Sequence, residues 1–110
     1  MSLRAAEGDG KEGRPRIVGL FTLKPFGTLE QVQPWVDAIK AMPSPGRLKH
    51  TWRLDLGLRE GNASMAAIFD FVDEAAYRAW DTDAEHNRIW RELMQPLLVK
   101  AERCQYRLEE

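Results

Sequence analysis

Polar and apolar residues alternate most clearly from Leu48 to Arg59. Leu48, His50, Trp52, Leu54, Leu56 and Leu58 fall on one side, and Lys49, Thr51, Arg53, Asp55 and Arg59, with Gly57, on the other. A period of two predicts a strand with one dry and one wet face. Arg16–Lys24 reads as an earlier strand, with Ile17, Phe21 and Leu23 on one face and Val18 and Leu20 on the other. Apolar residues on both faces predict a central strand. Ser64–Val72 has the same two-sided character, and the turn Glu60-Gly61-Asn62 joins it to the preceding strand as a hairpin. Val99–Leu108 predicts a last, Arg-rich amphipathic strand.

Helical spacing fills the gaps between the strands. Thr28 and Gln31 have capping-box spacing, and Leu29, Val32, Trp35, Val36, Ile39 and Met42 follow on one helical face. Pro34 removes one backbone bond and predicts a kink or a restart in the second turn. Asp73 can cap a second helix, with Ala76, Tyr77 and Trp80 inward. Asp81-Thr82-Asp83 interrupts it, and Thr82 with Glu85 repeats the capping-box spacing, so a third helix is expected to start there and run to about Gln95. Its apolar side holds Ile89, Trp90, Leu93, Met94 and Leu97, and Pro96 ends or bends it.

The order β-α-β-β-α-α-β is that of an α+β, ferredoxin-like fold with a four-stranded antiparallel sheet and its helices on one face. The other sheet face stays uncovered although two strands are apolar on both sides. A second copy packing sheet to sheet, as a twofold homodimer, resolves this.

Composition narrows the function. The 110 residues carry 16 Lys+Arg and 17 Asp+Glu, a formal net charge of -1. That balance gives no bulk attraction to nucleic acid or anionic lipid, so neither is expected as a partner. Apolar runs fall far short of a membrane span. The single cysteine, Cys104, excludes an intrachain disulfide and any Cys-based zinc finger, and is expected as a small core residue. Residues 1–14, rich in glycine and mixed charge, are expected to be a mobile tail ahead of one domain over 15–110. With no apolar leader and an unpaired cysteine, the expected location is cytoplasmic.

His86 is the leading chemical candidate. It lies three and four residues before Ile89 and Trp90, on their inward side, in the first turn of its helix, where the positive dipole end lowers an imidazole pKa. A neutral imidazole in an apolar cleft can take a proton from a phenol or a carbon acid. The competing reading is a histidine held structurally at a helix start. His50, beside Trp52, either lines a pocket or packs at an edge or interface. Trp80 and Trp90, near His86, can wall a pocket for a flat ligand, with Tyr77 at its mouth; core packing is the alternative for all four tryptophans. The two histidines lack further ligands at recognisable spacing, so no metal is expected. Arg103 and Arg107 read as a solvated edge.

The segments IVGLFTLKP, AMPSPGRLKH, AAIFDFVDEAAYRAW and TDAEHNRIWRELMQPLL resemble the stress-responsive A/B barrel (Dabb) family over about Arg16 to Leu108. The resemblance implies a dimeric α/β barrel, in which two ferredoxin-like chains close their sheets together. It also implies a pocket between sheet and helices. The family includes stress proteins without settled chemistry, polyketide cyclases and hydroxynitrile lyases. His86 matches the second histidine of the family's His-Pro-x-His, while Asp83 stands at the first. Trp80 replaces the cyclase tyrosine, and two further pocket histidines fall on Ile17 and Met65, which makes Met65 a lining candidate. The resulting expectation is a small homodimer that binds an apolar or aromatic molecule, with His86 as acid/base and no cofactor. A non-catalytic stress or assembly protein is one alternative. A cofactor-free or haem-type monooxygenase of the wider superfamily is the other, although the first strand has no Asn.

Overall fold

In a computed structural model, which describes residues 13–109, the elements follow the expected order. They are β1 (Pro15–Leu23), α1 (Leu29–Ala41), β2 (Arg47–Leu54), β3 (Met65–Phe71), α2 (Glu74–Asp81), α3 (Ala84–Ile89) and β4 (Leu98–Arg107). The sheet order is β2-β3-β1-β4, with every neighbouring pair antiparallel. This is the α+β, ferredoxin-like plan.

Strand register sorts the side chains. Ile17, Gly19 and Phe21 of β1 lie on the same face as Met65, Ala67, Phe69 and Phe71 of β3, and all seven are buried. Val32, Trp35, Val36 and Ile39 of α1, Trp80 of α2, Ile89 of α3 and Met94 complete one core on that face. Full burial of a side chain such as Phe71 or Ile39 contributes about 1.5–3 kcal/mol each. Val18, Leu20, Ala66 and Ile68 point to the opposite face, where they are only partly covered, Leu20 being 43 % exposed. That face also carries a bidentate ion pair: Arg16 Nε donates to Asp70 Oδ1 at 2.7 Å and Nη2 to Oδ2 at 2.8 Å. The guanidinium holds the buried Asp70 carboxyl below the usual carboxylate range.

Several local expectations are corrected. The β2 alternation breaks at a bulge between Arg47 and Lys49. Leu48, expected on the dry face, is 53 % exposed. Arg47 instead pairs with the inward Phe71 and donates from Nη1 to the Ile39 carbonyl at 3.0 Å, satisfying the C-terminal end of α1. The strand stops at Leu54. The Asp55 carboxylate accepts from the Gly57 N–H at 2.7 Å, and Gly57 has φ +76°, a turn that carries Leu56 and Leu58 into solvent. Cys104, expected in the core, is exposed, because β4 is an edge strand and Cys104 pairs with Val18 of the open face. Residues 1–12 of the expected tail lie outside the described residues. Arg14 is already tied in: its N–H donates to Glu109 Oε1 at 2.6 Å and its carbonyl accepts from Leu108.

The helices follow their caps. Thr28 and Gln31 form the reciprocal capping box. α1 runs through Pro34 without restarting, held by its four buried side chains. Asp73 caps α2, accepting from Ala76 at 2.9 Å. The cap of α3 is Asp83, which accepts from Glu85 and His86 at 2.8 and 3.1 Å. Thr82, expected in that role, ends α2 and donates its hydroxyl to the Arg78 carbonyl at 2.8 Å. After α3 the coil widens into a π turn at Trp90–Met94 and tightens into a 3-10 turn at Gln95–Leu97, because Pro96 has no N–H to continue the ladder.

The cap assignment can be tested by urea denaturation. Asp83→Ala is expected to cost about 1 kcal/mol, and Thr82→Ala less. The reverse order would return the cap to Thr82.

Candidate functional site

Where α2 hands over to α3, the helical layer turns above β1 and β4 and leaves a cleft of about 190 Å³. Ile17, Gly19 and Phe21 of β1, with Phe69 of β3, form its floor. Gly19 matters for shape: a Cβ there would come within 2.7 Å of the Phe21 ring, which folds over it. Trp35, Tyr77, Trp80 and Trp90 form the aromatic walls. Asp81, His86, Asn87 and Arg103 add polar groups.

The rings form a connected belt. His86 lies 3.9 Å from Trp80 between centroids, and Trp80 4.8 Å from Phe69. Phe69 stacks on His50 at 4.3 Å, with 14° between planes. His50 meets Trp35 edge-on at 6.1 Å, Trp35 meets Phe21 at 5.9 Å, and Phe21 meets Trp90 at 5.7 Å. Such contacts each add about 0.5–1.5 kcal/mol beyond area burial. Trp90 follows His86 by four residues, so the same helical segment carries both ends of the belt.

The cleft thus brings together Tyr77, Trp80, His86 and Trp90. Met65 and His50 do not line it. Met65 is buried on β3, paired with Phe21 and Leu54, and His50 stands one layer back behind Phe69 and Trp35. Tyr77 is anchored at the β4 side, where its hydroxyl accepts from Gln105 Nε2 at 2.8 Å. A second link, Arg107 Nη2 to Glu74 Oε2 at 2.9 Å, holds α2 to the same strand.

Burial pushes the His86 pKa below its ordinary value. Asp81 and Asp83 oppose the shift, and Arg103 and Arg47 add to it. The imidazole is therefore neutral at pH 7 and can accept a proton. Its Nδ1 is buried and has no hydrogen-bond partner among the described residues, and the same holds for the indole N–H groups of Trp35 and Trp80. Three unspent polar atoms belong to residues that line one aromatic cleft. Among the described residues no group of three or more His, Cys, Asp or Glu could hold a metal ion, and no helix is long and apolar enough to cross a membrane.

Arg103 is exposed on the edge strand β4, as the solvated-edge reading expects, but it pairs across the sheet with Gly19 and so lies on the helix side, a placement the sequence pattern does not show. The usable signal was the alternation Ala101, Arg103, Gln105, Arg107 on one face of β4, which becomes informative only once that face is known to be the helix side.

No family model and no curated relative matches the chain. Solved structures do. A hydroxynitrile lyase from Passiflora edulis is similar with a TM-score of 0.76 at 16 % identity, covering 89 % of this chain and 95 % of its own. A dimeric ferredoxin-like protein of unknown function from Thermobifida fusca gives 0.72 at 24 %, covering 89 % and 93 %. A Dabb family protein with a ferredoxin-like fold from Mesorhizobium loti gives 0.71 at 18 %, covering 86 % and 96 %. What these share with the present chain at such identities is the fold, and the last is of the family whose motifs the sequence resembles.

His50 generates a stability prediction. Burial, with Arg47 and Lys40 nearby, lowers its pKa from 6.5 to about 4. The unfolded chain takes up the proton near 6.5 and the folded ring only near 4. Stability attached to the neutral ring is therefore present above pH 6.5 and lost as pH falls towards 4. His50→Phe keeps an aromatic ring in the stack and removes the titration. Urea midpoints at pH 7 and 4.5 should differ less in the variant than in the wild type; an equal drop would remove His50 as the cause.

Proposed function

We propose that the chain forms a homodimer through its open sheet face, and that each protomer binds a small aromatic or largely apolar molecule in the cleft, with His86 as the proton-transferring group. The observation that carries the ligand reading is the placement of His86 beside Trp80 in an aromatic-walled cleft. Aromatic walls supply area and a few convergent polar atoms supply orientation, which is the usual make-up of a small-molecule site. A neutral imidazole there can accept a proton from a phenol or an activated C–H and return it to the product.

The dimer reading is supported by Val18, Leu20, Ala66 and Ile68 on a face that no helix among the described residues covers. It is also supported by the T. fusca neighbour, which is described as dimeric. In the proposed dimer, the single domain supplies one complete cleft per protomer. Cys104, exposed and without a thiol partner, fits a reducing, cytoplasmic setting.

Native mass spectrometry of gently purified protein tests both halves. The expected result is the mass of two chains with a discrete small-molecule adduct, lost or weakened in His86→Ala while the circular dichroism spectrum stays unchanged. A bare two-chain mass that takes up no small aromatic compound overturns the ligand reading in favour of a non-catalytic assembly protein. A monomer overturns the dimer.

A further inference from the structure

The polar groups around the cleft favour one chemical class of ligand. Arg103 lines it and its side chain makes no ion pair or hydrogen bond with Asp81 or with any other described residue, whereas Arg107, two residues on and on the same face of β4, is paired with Glu74 at 2.9 Å. Opposite Arg103 across the sheet stands Gly19, which offers no side chain to cover the guanidinium stem. Asp81 and the neutral His86 can accept hydrogen bonds on the helical side, so on the β4 side the unpaired guanidinium is the group left to a ligand's acceptor oxygens and negative charge.

Size narrows the class further. A cavity of about 150 Å³ holds benzene, so about 190 Å³ has room for one ring and a short substituent. We propose that the cleft takes a single-ring aromatic carboxylate, its ring against the tryptophan walls and its carboxylate on the Arg103 guanidinium. This rests on the reading of the cleft as a ligand site. It adds the ligand's charge, and it makes Arg103 the residue that selects for it. His86, whose electrostatic surroundings include Arg103, then faces the bound molecule from the opposite, helical side.

Benzoate and its neutral near-isostere benzamide distinguish the possibilities, read by quenching of tryptophan fluorescence, since Trp35, Trp80 and Trp90 all line the cleft. The expected result is a benzoate affinity about tenfold or more above that of benzamide, as a charge-assisted pair gives. Arg103→Gln should abolish the preference by lowering benzoate affinity to the level of benzamide, and Arg103→Lys should keep part of it. Arg103 is exposed on an edge strand, so both variants should fold, which circular dichroism checks. Equal binding of the two compounds by the wild type, or an undiminished preference in Arg103→Gln, overturns the carboxylate proposal and leaves the cleft as a site for neutral aromatics. Binding of neither compound overturns the single-ring proposal together with the ligand reading it rests on.

Discussion

The stacking of Trp80 between the sheet and the start of α3 is the contact on which the site depends. Its ring lies against Phe69 and Phe71 below and His86 above. α2 is eight residues long and α3 six, so neither is stable alone, and their relative placement comes from what they bury. Asp83 stops one helix from running into the next and starts α3 with His86 in its first turn. Trp80 then fixes where that turn sits. A continuous helix from Glu74 to Met94 would carry His86 in mid-helix with both neighbouring turns packed around it. The interruption leaves the imidazole at a helix start, beside a cleft.

The sheet divides its faces between two tasks. On the helix side, large rings fill the space over β1 and β3, and the edge strand β4 stays thinly covered, which is why the cleft opens towards Arg103. On the other side lies a flatter surface of Val18, Leu20, Ala66 and Ile68, crossed by the Arg16–Asp70 pair. A buried carboxylate is costly unless paired and hydrogen-bonded, and two parallel N–H···O bonds meet that demand. A slip of one residue between β1 and β3 would break this pair and turn the apolar residues to the wrong face. The ion pair thus fixes the register that aims Ile17, Gly19 and Phe21 at the cleft.

Much of this was legible in the residues. Thr28 with Gln31, Asp73, and the two-sided apolar strands around Ile17 and Phe69 gave the element order, and the order gave the sheet. Tyr77, Trp80, His86 and Trp90 could be grouped because helical spacing is local. What stayed hidden depended on non-local facts. A bulge breaks period two without leaving a mark in the pattern, so Leu48 and Arg47 exchanged roles. Leu56 and Leu58 continue the alternation perfectly, but Asp55 and Gly57 close a turn that ends pairing. Cys104 and Arg103 could be assigned to faces only once β4 was known to lie at the edge beside β1. Asp83 outcompeted Thr82 because Thr82 is already engaged as the C-terminal cap of α2.

The same non-local placement decides the chemistry of His86. Burial is the main cause that favours the neutral imidazole, and two carboxylates nearby, Asp81 and Asp83, resist this without reversing it. Asp83 is engaged with the amides of Glu85 and His86, which spreads its charge over the helix start. Arg103 works in the other direction, and it is the only one of the two arginines on this face of β4 beside the cleft that no carboxylate of the described chain neutralises. An anion on Arg103 would cancel its repulsion of an imidazolium and add an attraction of its own. In the proposed complex, ligand charge and histidine protonation would therefore be coupled through one guanidinium. A neutral ring would leave His86 a base held in readiness, whereas a carboxylate would bring it closer to sharing a proton with what it binds.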